Sequence, residues 1–175
     1  MKLIAHRGLY NGPDKNLENR PYQINSALGR GFDCEIDLWV FDDRLYLGHD
    51  GPQYNITEDF LQQSGLWIHC KNLAALIYCQ FKKELNFFWH ENDSYTLTSL
   101  GYIWSYPEKE LGKNSVMLMP EWADPTFEKI TTADCYAICS DYVEQIRELI
   151  PSDQNRSCNY IRPRLGQRLR RILLR

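Results

Sequence analysis

The stretch GFDCEIDLWVFDDRLYLGHD, residues 31–50, decides how the fold is read. Its core, FDCEIDLWV (32–40), is a short run dense in aromatic and aliphatic side chains. Runs of this kind, several of them apolar on both faces, mark strands buried in a parallel sheet. Asp42 and Asp43 signal a turn, and RLYLGHD (44–50) then reads as a β-extension of the same strand. Working outward, similar runs recur at KLIAH (2–6), LWIHC (66–70), NFFWH (86–90), GYIWSY (101–106), SVMLMP (115–120) and CYAICS (135–140). Helical spacing lies between several of them, at 20–30, 56–65, 73–85 and 141–150. This alternation predicts βα units and a parallel α/β fold of about seven strands.

The chain has 175 residues, the size of one domain, and a chain of this length needs no disulfide or metal to fold. Hydrophobic residues make up 43% and charged residues 25%, which excludes a disordered chain and a coiled coil. The only break in composition falls at 151–160. It separates a domain of residues 1–150 from a basic C-terminal tail of residues 151–175, where Leu165, Leu169, Ile172 and Leu173 share one helical face opposite arginines. The net charge of −3 conceals an asymmetry. The tail holds seven Arg and one acid, a net +6, while residues 1–150 hold 13 basic and 22 acidic residues, a net −9. An acidic body argues against nucleic-acid binding. A basic amphipathic tail suits packing on the domain, contact with a membrane surface, or self-association. The opening MKLIAHRG is too short an apolar run for a signal peptide, and no stretch is long enough to span a membrane. The six cysteines are scattered without a CxxC pair, so reduced thiols and a cytoplasmic location are expected.

Chemistry-bearing residues gather at the C-terminal ends of the expected strands, where parallel α/β sheets build their active sites. His6 and Arg7 end the first. Glu35 and Asp37 lie two apart on the second, so their side chains share a face. If that face is interior, two carboxylates need a hard divalent cation to offset their repulsion. If it is a solvent edge, Cys34, Ile36 and Leu38 face the core instead. His49 ends the β-extension, and His6 with His49 would form an acid/base pair for proton transfer near neutral pH, or cap strand ends. Arg7 and Lys71 offer positive charge suited to a phosphate. His90 and Glu121 also stand at strand ends. Tyr102, Trp104 and Tyr106 are expected in the core.

Together, IAHRG (4–8), LEN (17–19), GFDCEIDLWVFDDRLYLGHD (31–50) and IHCK (68–71) resemble, in order and spacing, the motifs of the glycerophosphodiester phosphodiesterase family. AICSDYVEQIRELI (137–150) is similar to that family's closing strand and helix. The resemblance implies a trimmed or incomplete TIM-type (β/α) barrel with one bound divalent cation, Mg²⁺ or Ca²⁺, with Mn²⁺ also suitable. It implies His6 and His49 as catalytic acid and base, Arg7 and Lys71 as substrate-phosphate contacts, and Glu35, Asp37 and Glu18 as metal-site acids. It further implies metal-dependent hydrolysis of a small glycerophosphodiester-like or polyol/sugar phosphodiester. A hydroxyl next to the phosphoester attacks phosphorus, one His accepting its proton and the other protonating the leaving alcohol. The alternatives are a lyase that stops at the cyclic phosphate and a non-catalytic phosphate- or sugar-phosphate-binding module.

Two positions depart from the family pattern. Leu17 replaces a proline, and His69 stands where the family carries its third carboxylate ligand. His69 is then a neutral, softer metal ligand favouring Mn²⁺ or Zn²⁺, or a pocket residue bonded to Asp37 or substrate, with Glu91 or Glu121 recruited in its place.

Overall fold

The computed structural model describes residues 1–150; the basic tail expected over 151–175 lies outside the described residues. Among the described residues, ten strands form one sheet. β1 (Lys2–Ala5), β2 (Asp33–Phe41), β5 (Leu66–Cys70), β6 (Phe87–Phe88), β8 (Ile103–Ser105), β9 (Ser115–Leu118) and β10 (Ala137–Ser140) coincide with the seven expected runs. They pair in parallel in the order β6-β5-β2-β1-β10-β9-β8. The expected β-extension is β3 (Arg44–Leu47), antiparallel to the end of β2, and it carries a further antiparallel strand, β4 (Tyr54–Ile56). β7 (Tyr95–Leu97) pairs antiparallel with β8.

The expected TIM-type barrel does not form. The sheet is a curled, mixed half-barrel with four α-helices among the described residues: α1 (Pro21–Gly29), α2 (Glu58–Leu61), α3 (Leu73–Gln80) and α4 (Val143–Leu149). Among the described residues no ladder joins β6 to β8. Phe88 and Trp104 instead stack across that gap with ring centroids 4.6 Å apart. The reason lies in the connections of the second half. The link from β6 to β8 is used up by β7. The link from β8 to β9 contains Pro107 and Gly112 and is too short for the dozen or so residues of a helical crossover. The link from β9 to β10 contains Pro120 and Pro125 and folds only into 3-10 turns, Pro120–Trp122 and Glu128–Thr132.

Side chains alternate between two cores, as the pleat requires. Leu3 and Ala5 of β1, Cys34, Ile36 and Leu38 of β2, Leu66, Ile68 and Cys70 of β5, and Ile138 of β10 pack outward with Ile24 and Ala27 of α1, Ala75 of α3, and Val143 and Ile146 of α4. Ile4, Trp67, Val116, Leu118 and Cys139 point to the opposite face, into the concave side, with Phe88, Tyr102 and Trp104. Tyr102 and Trp104 are buried there as expected, whereas Tyr106 is exposed. Among the described residues, no helix is long and apolar enough to cross a membrane.

Candidate functional site

The pleat places Glu35 and Asp37 on the concave face. Their neighbours Cys34, Ile36 and Leu38 occupy the outer core, so the carboxylates are interior, only 3% and 1% exposed. The parallel register sets Asp37 beside His69 on β5. One atom each of Glu35, Asp37 and His69 lies within 4.8 Å of the others.

His6–Gly8 forms a 3-10 turn directly after β1, with Arg7 in the left-handed region (φ 52°, ψ 27°). That conformation turns the Arg7 amide to donate to Glu35 Oε2 at 3.0 Å. The Arg7 guanidinium lies 3.2 Å from Asp37 Oδ2 through Nε and donates to Glu18 Oε2 at 2.7 Å. Lys71 Nζ is 3.4 Å from Asp37 Oδ1. Asn19 closes this corner: its Nδ2 donates to Asp37 Oδ2 at 2.8 Å, and its Oδ1 accepts from the Asp37 amide at 2.9 Å. Gly8 is required where it stands: its φ is +77°, and a Cβ there would lie 2.9 Å from Ile24 Cγ1.

His6 is half-buried, and its Nδ1–H donates to Asp141 Oδ1 at 2.8 Å, leaving Nε2 unprotonated when the ring is neutral. Burial opposes protonation of His6, but the Asp141 hydrogen bond and the negative charge of Glu35 outweigh it and raise its pKa above 6.5. Asp141 is itself held: Glu121 Oε1 accepts from the Asp141 amide at 3.1 Å and from Ser140 Oγ at 2.8 Å. Burial pushes the Glu121 carboxyl up. His49 sits at the rim with its side chain 36% exposed, and its Nδ1–H donates to Asp50 Oδ1 at 2.6 Å.

His69 is clamped in a stack. Its ring lies nearly parallel to Phe88 (centroids 5.2 Å, 5°) and to His90 (4.5 Å, 11°). Nε2 faces the His90 carbonyl at 3.4 Å, and Nδ1 faces Asp37 Oδ1 at 3.1 Å and Glu35 Oε1 at 3.9 Å. Nδ1 is therefore the atom His69 offers to a cation. Burial, with the nearby His69 and Lys71, lowers the His90 pKa to about 4, so His90 is a neutral stacking partner at pH 7.

The two acids are not equivalent. Burial resists ionisation of Asp37, yet His69, Arg7 and Lys71 overcome it and hold its pKa well below the usual range. Burial and the neighbouring Asp37 charge raise that of Glu35. Glu35 is thus the less readily ionised of the two acids, and it faces His69 Nδ1. Two carboxylates and an imidazole nitrogen in such a cluster fit a divalent metal ion.

His6, Arg7, Glu35, Asp37, His49, His69 and Lys71 all line one cavity of about 340 Å³, together with His90 and Glu91. Glu18 is not in the three-residue cluster; it orients Arg7 instead. Glu121 braces Asp141 rather than joining the cluster. Sequence reasoning misses Asn19 and Asp141. Both stand inside quoted motifs, LEN and AICSDY; Asp141 is a short polar residue at the edge of an apolar run, which is the signal that marks it, whereas Asn19, between Glu18 and Arg20, has no such signal. No protein-family model, curated protein or solved structure matches the chain.

Proposed function

We propose that this chain is an enzyme that hydrolyses a small phosphodiester with the help of one divalent cation. The observation that carries the reading is the convergence, on one cavity, of two histidines that each have a carboxylate partner on Nδ1, two cationic side chains and a Glu-Asp-His cluster. Binding alone has no use for two carboxylate-partnered histidines, so this arrangement supports catalysis over a passive phosphate-binding module.

His6 acts as the base. Asp141 fixes its tautomer and stabilises the imidazolium formed when Nε2 takes a proton. The proton comes from a substrate hydroxyl neighbouring the phosphoester, whose oxygen attacks phosphorus. His49, at the solvent rim, protonates the departing alcohol oxygen, leaving a cyclic phosphate. Water opens that ring with the two histidines exchanging roles. Arg7 and Lys71 hold the non-bridging oxygens, and Glu18 and Asp37 keep Arg7 in place. Glu35, Asp37 and His69 would hold the cation, which supplies further charge stabilisation to the phosphoryl oxygens. The imidazole donor favours Mn²⁺ or Zn²⁺ over the hard ions Mg²⁺ and Ca²⁺, which prefer all-oxygen ligand sets. The proposal includes a cytoplasmic setting, supported by five described cysteines that are all free, four of them buried.

The test is hydrolysis of glycerophosphocholine and bis-p-nitrophenyl phosphate with Mn²⁺, Mg²⁺ or Ca²⁺, comparing the native chain with His6→Ala and His49→Ala. Phosphorus NMR of the product separates hydrolase from lyase. Turnover that survives both substitutions, or no turnover with any of the three cations, refutes the proposal.

A further inference from the structure

The cavity has a second wall that the phosphodiester reading leaves unexplained. One side is charged: His6, Arg7, Glu35, Asp37 and Lys71. The other is aromatic, and its outer members are exposed although large: Trp122 is 60% exposed and Tyr106 46%. Their rings meet edge to face, with centroids 6.3 Å apart and planes at 64°. The backbone is bent to put Trp122 there. Met119, immediately after β9, holds a left-handed conformation (φ 42°, ψ 59°) that an unbranched L-residue rarely adopts, and its amide is anchored to the Cys139 carbonyl at 2.7 Å. The 3-10 turn after it carries Trp122 to the lining of the cavity.

We infer that Trp122 and Tyr106 form a subsite for a sugar ring esterified to the phosphate, so that the substrate is a sugar phosphodiester. This deepens the proposed function and rests on that reading for the reaction, though not for the binding. The geometry selects the ring. An exposed indole face attracts the weakly positive C–H face of a pyranose through its quadrupole, while the sugar hydroxyls remain in water. A nucleobase is served better by two parallel walls, and rings at 64° cannot sandwich it. A quaternary ammonium is served by several ring faces converging on one point, whereas here the edge of one ring is spent on the other. An acyl chain would need an apolar tunnel, and a cavity of about 340 Å³, half lined by charge, lies at the small end for ligand sites.

The test uses three monoesters with no diester bond to cleave: glucose 1-phosphate, glycerol 3-phosphate and phosphocholine. Their affinities are measured by calorimetry with Mn²⁺ present, on the native chain, Trp122→Ala and Tyr106→Ala. Glucose 1-phosphate is expected to bind about tenfold more tightly than glycerol 3-phosphate, the size of one ring-face contact, and Trp122→Ala is expected to abolish that preference. Trp122 is exposed, so the variant folds; Tyr106→Ala, which removes the support but not the platform, should weaken the preference only in part. Equal affinities on the native chain, or a preference for phosphocholine that Trp122→Ala removes, overturn the inference. The two readings fail separately. A sugar preference without any diester turnover defeats the hydrolase and leaves the subsite, whereas turnover of ringless diesters without sugar preference does the reverse.

Discussion

Replacing Asp141 with Asn should reverse the direction in which His6 couples pH to stability. In the native chain burial disfavours the His6 imidazolium, while the 2.8 Å hydrogen bond to Asp141 and the negative charge of Glu35 favour it and prevail. A hydrogen bond to a charged group contributes about 1.5–3 kcal/mol, or about one to two pKa units at 1.36 kcal/mol per unit. Asn keeps the shape and removes the charge, leaving only Glu35 against burial and Arg7, so the His6 pKa is expected to fall below its ordinary value of 6.5. That reversal fixes the sign of the linkage. With its pKa raised, His6 stabilises the native fold fully below the unfolded value, and this contribution is lost as pH rises through the folded pKa. With the pKa depressed in the variant, the His6 contribution is present above the unfolded value and is lost as pH falls. The assay is a nitrogen-resolved NMR titration of the imidazoles, paired with urea unfolding from about pH 5 to 8, taking the native-minus-variant difference so that other groups cancel. A His6 pKa at or below 6.5 in the native chain, or a titration midpoint unmoved by the substitution, refutes the reasoning.

The metal cluster predicts that Mn²⁺ binds the native chain in calorimetry and that Glu35→Gln and Asp37→Asn each weaken it at least ~10-fold; at a hundred times its dissociation constant the ion should stabilise the fold by about 2.7 kcal/mol in urea. Ile36, fully buried between β2 and the helices, should cost about 2–5 kcal/mol when cut to Ala, read as a lower urea midpoint at unchanged slope. Gly8→Ala forces a left-handed alanine against Ile24, at 2.9 Å from Cγ1 and 3.2 Å from its backbone, and should cost about 1–3 kcal/mol while loosening the His6 turn, visible as a shifted His6 resonance.

The strands were legible because a buried strand leaves a local mark: a short run of aromatic and branched side chains bounded by polar residues. All seven runs read this way contain parallel strands. Helical spacing lies only at 20–30, 56–65, 73–85 and 141–150, and α1 to α4 form there; what was not legible is that the barrel fails to close, because closure depends on linkers rather than on strands. GYIWSY and SVMLMP carry no signal for the kind of connection that leaves them. The decisive residues are Pro107, Gly112, Pro120 and Pro125, and the few positions left between β8 and β9. Without helical crossovers in that region the expected TIM-type barrel gives way to a curled mixed sheet. Similarly, β7 is a three-residue strand whose burial alternates between exposed and intermediate, which gives periodicity almost nothing to detect.

At the site, the spacing of Glu35 and Asp37 established that they share a face but left open which face. The answer comes from their neighbours. Cys34, Ile36 and Leu38 all pack under the helices, and a strand with partners on both sides, β1 and β5, has no solvent edge to offer. The two acids are then committed to the interior, and the cost of burying them has to be met by charge brought from elsewhere in the chain. This is why the residues that complete the site are distant in sequence. Arg7 arrives from the turn after β1, Asn19 from the loop before α1, and His69 and Lys71 from β5 and just beyond it. The same logic joins His6 to Asp141, 135 positions away, across the β1–β10 pairing that sets Ala5 opposite Ser140. A polar residue at a strand end gains its partner from sheet order, which no local pattern encodes. A parallel sheet that curls brings such ends together, so the buried acids of β2 and the histidine of β1 fall within reach of every counter-charge the site uses.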